Sequence, residues 1–247
     1  MSLAVSTALG QEHRVFDEGA ITRMDTTRRE IYLVFTGHDF AEGGGVIRET
    51  LRTQGAKGSF FFTGEFYRNP RFADLIRGLR DDGHYLGPHS NRHLLYAPWG
   101  RRDSLLVTRK EFKNDLLDNY AAMQMFGIGL EDAPYFLPPY EWYNRTISAW
   151  AAEMRSTLVN FTPGTGSNAD YTTEDMGPRY VSSDSIFSRI LSYECSSTCG
   201  LNGFLLLTHV GAGSGRTDKF YLCLDSLLTI LSRRGYHFNR LPGARLR

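Results

Sequence analysis

Three cysteines in 247 residues, Cys195, Cys199 and Cys223, are too few for a disulfide scaffold. Cys195 and Cys199 are close enough in sequence to pair, which leaves Cys223 over. Three unpaired thiols fit the same count, so cysteine usage fixes no compartment. Also lacking is any apolar run near the roughly 18 residues of a membrane span, and the opening residues show no signal-peptide pattern. Neither charge is in surplus: 28 Lys and Arg against 27 Asp and Glu leave a net charge of +1, which argues against a general nucleic-acid or acidic-membrane binder. The glycines Gly43 to Gly45 come with no Walker lysine and no G-x-G-x-x-G, so they read as a flexible loop and not a phosphate cradle. There are no internal repeats and no linker. The remaining composition, 41% hydrophobic and 22% charged, suits one globular domain with a sizeable core.

Residues 1–29 are polar and mixed and read as an arm packed on a domain spanning 30–247. Ile31 to Phe35 is a continuous apolar run, as expected of a buried parallel strand. Further strands are expected at 59–63, 84–87, 134–137, 157–161, 204–208 and 236–240. Helices are expected between them, among them 109–126, where Phe112, Leu116, Leu117, Tyr120 and Met123 follow a helical period. Seven strands alternating with helices predict an α/β fold with a parallel sheet closed, or nearly closed, into a barrel. Residues 162–181 form a long loop rich in Gly, Thr, Asn and Asp, and such loops are often functional.

The polar residues gather at predicted strand ends. Asp39 follows the first strand, His89 and His93 the third, Tyr140 and Glu141 the fourth, and His209 the sixth. Carboxyl ends of parallel strands share one mouth, where such enzymes place their chemistry. His89 and His93 are four residues apart, a spacing that puts two imidazoles on one face of a helical turn. With Asp39 they make a two-histidine, one-carboxylate set. That set suits zinc with an open position, and equally the facial triad of an iron oxygenase.

His89-Ser90-Asn91-Arg92-His93 is a full H-[ST]-x-x-H. Around it stand Thr36-Gly37-His38-Asp39-Phe40, Phe60-Phe61-Phe62-Thr63-Gly64, Asp82-Gly83-His84, Leu137-Pro138-Pro139-Tyr140-Glu141, Asp170-Tyr171 and Leu206-Leu207-Thr208-His209. In order and spacing, over most of 30–240, the chain resembles the NodB-like polysaccharide deacetylases, carbohydrate esterase family 4. The resemblance implies a distorted (β/α) barrel and a metal-dependent hydrolase that removes N- or O-linked acetyl groups from a polysaccharide or oligosaccharide. It implies a divalent metal on Asp39, His89 and His93, zinc first, with cobalt, nickel, manganese or iron as substitutes. It makes His209 the general acid, Asp170 its orienting carboxylate and the Tyr140 N–H an oxyanion donor. It also implies an acetylated glycan as partner and a secreted or cell-envelope location.

Two positions depart from the family pattern. His38 stands where the family has its catalytic aspartate, and Leu137 where it has the arginine partnering that aspartate. The changes are consistent together, since a cation without its carboxylate would be buried unpaired. They leave the base open among His38, Glu141 and a metal-bound hydroxide. They also open a second reading, a carbohydrate-binding relative that keeps the metal and has lost the base. Trp99, Tyr140, Trp142 and Tyr143 are candidates for stacking on sugar rings.

Overall fold

The computed structural model describes residues 13–243. The centre of the sheet is β3 (Glu30–Gly37), flanked by β4 (Ser59–Phe62) and β8 (Phe204–His209), with β5 (Tyr85–Pro88) beyond β4. All four run parallel. Their sequences explain the position: Ile-Tyr-Leu-Val-Phe, Ser-Phe-Phe-Phe and Phe-Leu-Leu-Leu are apolar on both faces, and nearly every residue is buried. The register brings their ends level, with Thr36 opposite His209, Gly37 opposite Phe62, and Phe62 opposite Pro88. The loops that leave these strands therefore emerge together.

The sheet curls into a distorted barrel. The short parallel pair β6 (Tyr135–Phe136) and β7 (Thr157–Leu158) fills the gap. One seam is the Leu137 N–H bond to the Pro88 carbonyl, 3.2 Å; the other is the Asn160 N–H bond to Ile21 O, 2.9 Å. Seven α-helices are described around it: α1 (Gly44–Thr53), α2 (Gly64–Arg68), α3 (Ala73–Asp81), α4 (Arg109–Gln124), α5 (Arg145–Glu153), α6 (Ser183–Ser196) and α7 (Leu224–Arg233). Each of the longer ones buries one stripe, such as Ile76 and Leu79 of α3 or Leu224, Leu227, Leu228 and Leu231 of α7. Each such side chain contributes about 1.5–3 kcal/mol by leaving water. A capping box, Thr108 with Glu111, starts α4.

The fold class agrees with the sequence reading, but the sheet is mixed. Within the stretch read as an arm, β1 (Val15–Asp17) and β2 (Ala20–Arg23) form a hairpin, and β2 joins β8 antiparallel. Its turn is the two residues Glu18 and Gly19, both at positive φ (44° and 84°) as a tight hairpin requires. A three-residue exposed β1 and a charged turn left little apolar alternation to detect. Residues 1–12 lie outside the described residues. The closing strand, β9 (His237–Asn239), pairs with the start of β3. Leu117 of α4 is 48% exposed and does not belong to the inner face. All three cysteines are free, Cys195 and Cys199 exposed. Arg216, from the loop after β8, is fully buried and donates to the Thr172 and Val181 carbonyls at 2.5 and 3.0 Å and to Ser183 Oγ at 3.2 Å, which anchors the long loop to the body.

The hairpin junction gives a stability test. Gly203 has φ +67°, and a Cβ there would lie 2.6 Å from Met24 O and 2.7 Å from Asp25 O. Gly55 has φ +60° with open space around it. Gly55→Ala should lower unfolding free energy by about 1 kcal/mol, the left-handed penalty alone. Gly203→Ala should lose roughly 1–3 kcal/mol more from overpacking. Urea denaturation of the two variants measures the difference; equal losses would mean that β2 does not pack there.

Candidate active site

The segment after β5 is not helical. His89 is anchored by its backbone N–H, which donates to Phe62 O at 3.1 Å and to Asn119 Oδ1 at 2.9 Å. Ser90 and His93 take left-handed φ values of 70° and 55°, which cost energy in non-glycine residues and need support. Asp115 supplies it. Its carboxylate, fully buried, accepts from Ser90 Oγ at 2.6 Å, Asn91 N at 2.8 Å and Arg92 N at 3.2 Å. The two imidazoles meet edge to face with centroids 5.1 Å apart. The common face expected of a helical turn is thus reached by a bent loop closed on a carboxylate. Asp115 and Asn119 did not emerge from the sequence. Their signal was polar residues on the same inner face of α4 as Phe112, Leu116 and Tyr120.

His89 Nδ1 lies 2.8 Å from the Leu137 carbonyl, which only accepts. Nδ1 therefore carries the proton and Nε2 keeps its lone pair. Burial pushes the His89 pKa down to about 3 and that of His93 to about 2, so both rings are neutral near pH 7. His38 stacks flat on His93, centroids 4.7 Å apart and planes 8° apart. Its Nδ1 is 3.1 Å from Thr63 Oγ1, and its Nε2 is 3.6 Å from Asp39 Oδ1. Asp39 is 68% exposed in its side chain and turns its carboxylate to His38.

Across the cleft, His209 Nδ1 is 2.7 Å from Asp170 Oδ1, and its backbone N–H donates to Asp170 Oδ2 at 2.9 Å. The long loop thus delivers Asp170 to the end of β8 in two-point contact. Burial alone would lower the His209 pKa; the charge and hydrogen bond of Asp170, with the charge of Glu141, outweigh it and raise the pKa. Burial raises the Glu141 carboxyl, opposed by His209 and by a hydrogen bond from Asn168. Tyr140 and Glu141 both sit in the left-handed region, φ 59° and 52°, and Asn160 Nδ2 donates to Glu141 O at 2.9 Å. His38, Asp39, His89, His93, Tyr140, Glu141 and His209 all line one cleft of about 610 Å³. Asp170 reaches it through His209.

A metal fits part of this set. The pair His89 and His93 offers neutral imidazoles, one with its ligating nitrogen fixed by a backbone carbonyl, as metal-binding histidines are held. Asp39 does not complete the set. Among the described residues no three His, Cys, Asp or Glu side chains converge on one metal position. The structure brings His89 and His93 together and leaves the Asp39 carboxylate exposed beside His38, 3.6 Å from its Nε2.

Two adjacent non-glycine residues in the left-handed region predict a trade of stability for placement. Glu141→Gly should raise unfolding free energy by about 1 kcal/mol, since the strain of 1–2 kcal/mol exceeds the added freedom of glycine in the unfolded chain. Thermal unfolding followed by circular dichroism reads it; a lower midpoint would mean that φ 52° is not strained here.

Comparison with known proteins bears on the fold and the family. The family model for polysaccharide deacetylase matches residues 23–159. A search of curated proteins finds no match. Among solved structures, a peptidoglycan N-acetylglucosamine deacetylase superposes with TM-score 0.70 at 20% identity, covering 90% of each chain. A carbohydrate esterase family 4 pseudoenzyme from Bacillus anthracis gives 0.68 at 15%, covering 92% of this chain and 68% of its own. A family 4 acetyl xylan esterase from Clostridium thermocellum, in complex with a cobalt ion, gives 0.64 at 18%, covering 84% and 86%. At these identities the structures establish the fold. The family model spans more than half of the chain and covers both histidines of the H-S-x-x-H segment: the protein belongs to the polysaccharide deacetylase family.

Proposed function

We propose that the protein hydrolyses acetyl groups from an acetylated saccharide with the help of a divalent ion. One observation carries the reading: the His209–Asp170 pair faces two neutral histidines across a single cleft. Zinc suits the donor types, and cobalt, nickel, manganese or iron could replace it. When bound, the ion supplies a Lewis acid for the acetyl carbonyl. His89 and His93 would hold it, with Asp39 as third ligand once its carboxylate turns from His38.

The protein groups do the rest. Asp170 accepts the His209 Nδ1 proton and stabilises the imidazolium, and the second proton of that ring, on Nε2, passes to the leaving nitrogen or oxygen. The Tyr140 backbone N–H is the donor for the carbonyl oxygen as it gains charge. For the base, the geometry favours Glu141. His38 stays the second candidate, with Thr63 Oγ1 3.1 Å and Glu65 Oε2 3.9 Å from Nδ1 and Asp39 Oδ1 3.6 Å from Nε2. Glu141 is half-buried at the cleft, with a carboxyl raised toward neutrality.

A second reading has its own support. With His38 and Leu137 in the family's base and arginine positions, and Asp39 turned aside, the cleft would bind a glycan without cleaving it. A family 4 pseudoenzyme from Bacillus anthracis shares the fold.

Acetate release from acetylated chito-oligosaccharides and xylo-oligosaccharides separates the two. The deacetylase reading expects release that stops on chelation and returns with zinc. His209→Ala should lower turnover by roughly 10²–10⁴ on these substrates and far less on an activated aryl acetate, which leaves without a proton. Turnover that needs protonated His209 falls as pH rises through its raised pKa. Asp170→Asn removes the group that raises it, so the alkaline limb should move to lower pH. An unmoved limb would take the proton-donor role from His209, and binding without acetate release would select the second reading.

A further inference from the structure

Asp170 meets His209 from a loop and not from a strand, so contacts outside the pair have to fix its approach. It follows the short helical turn Ser167–Ala169. Thr172 fastens that turn: its backbone N–H and its hydroxyl both donate to Ala169 O, at 3.0 and 2.7 Å. The same hydroxyl oxygen accepts from Val181 N at 3.0 Å, which brings together the two ends of the strap 173–180. Thr173 and Met176 of this strap line the cleft.

Arg216 grips the strap where its ends meet. Its Nη1 donates to Thr172 O at 2.5 Å and lies 3.4 Å from Thr172 Oγ1. Its Nη2 donates to Val181 O at 3.0 Å and lies 3.2 Å from both Ser183 Oγ and Asp218 Oδ2. Its Nε donates to Asp218 O. The Tyr180 ring covers it, with the centroid 5.3 Å from the guanidinium carbon. The whole side chain is 0% exposed. A buried cation is tolerated only when its donors are met, and the planar fork meets three carbonyls and a carboxylate in fixed directions.

Two loops are thereby joined twice. Arg216 follows His209 on the loop after β8, and Thr172 follows Asp170 on the long loop. The Asp170–His209 contact is one rung and the Thr172–Arg216 contact the other. One rung alone would leave Asp170 free to swing; the second sets its distance and angle. Arg216 does not itself line the cleft.

We propose that Arg216, acting through Thr172, is the positioning residue that holds the Asp170 carboxylate on His209. The proton-donor role of His209 rests on the deacetylase reading; the clamp does not.

The test uses NMR on the full, metal-free chain, comparing the parent with Arg216→Lys and Thr172→Val, and with Asp170→Asn as the reference for a lost contact. Lysine keeps the charge but not the fork. The His209 backbone N–H donates to Asp170, whereas that of its neighbour Val210 donates to Thr36 O at 2.9 Å, so Val210 is the internal control. In both clamp variants amide exchange at His209 should quicken about three- to tenfold, the loss of one hydrogen bond, with Val210 unchanged. The His209 pKa should fall as in Asp170→Asn, because burial then acts with less opposition. Parent-like exchange and pKa at His209 in a folded Arg216→Lys would overturn the proposal. If that variant does not fold, the same result in Thr172→Val overturns it. Equal quickening at His209 and Val210 means general loosening and overturns it as well. Neither readout needs substrate, so a parent that releases no acetate would remove the deacetylase reading and leave the clamp standing.

Discussion

The level register of four parallel strands is the constraint on which the site depends. With Thr36 opposite His209 and Phe62 opposite Pro88, the loops after β3, β5 and β8 start at the same height. Residues far apart in the chain then need only short loops to meet: His38 and Asp39 from one strand, His89 and His93 from another, His209 from a third. A slip of one residue in any pair would exchange the two buried faces of a strand and move its site residue out of line with the others. The packing of Phe60, Phe61, Phe62, Leu205 and Leu207, all at most 1% exposed, therefore fixes the chemistry as well as the fold.

On this frame the protein uses buried carboxylates for two different tasks. Asp115, with the Arg92 guanidinium 3.7 Å from one oxygen, accepts from one hydroxyl and two backbone N–H groups, which holds a strained histidine loop. Asp170 spends its oxygens on a side chain and a backbone N–H of the same residue, His209, and so fixes a proton. Dry, neutral surroundings do the opposite for His89 and His93. One cleft thus contains imidazoles with opposite tendencies, set by burial in two cases and by an adjacent carboxylate in the third.

Much of this was legible in the sequence. Apolar runs gave the central strands, and the polar residues at their ends gave His89, His93, His209 and Asp39. The pairing of Asp170 with His209 came from motif order, since nothing local in a loop of Gly, Thr, Asn and Asp predicts which carboxylate reaches a strand end 39 residues later. The β1–β2 hairpin was hidden by its brevity and its Glu18-Gly19 turn. Asp115 was hidden by the apolar period of α4, in which a buried aspartate reads as solvent-facing. The approach of the Asp39 carboxylate to His38 is a matter of side-chain packing that no spacing encodes.

The division of the histidines is the central claim, and imidazole titration by nitrogen-resolved NMR on the metal-free protein tests it most directly. The geometry predicts that His89 and His93 stay neutral from pH 8 down to about pH 4. His89 should hold its proton on Nδ1 throughout, and His209 should gain its second proton above the ordinary value of about 6.5. If all three histidines titrated together near 6.5, the cleft would be open to water, and neither the ligand pair nor the proton donor would be formed as described.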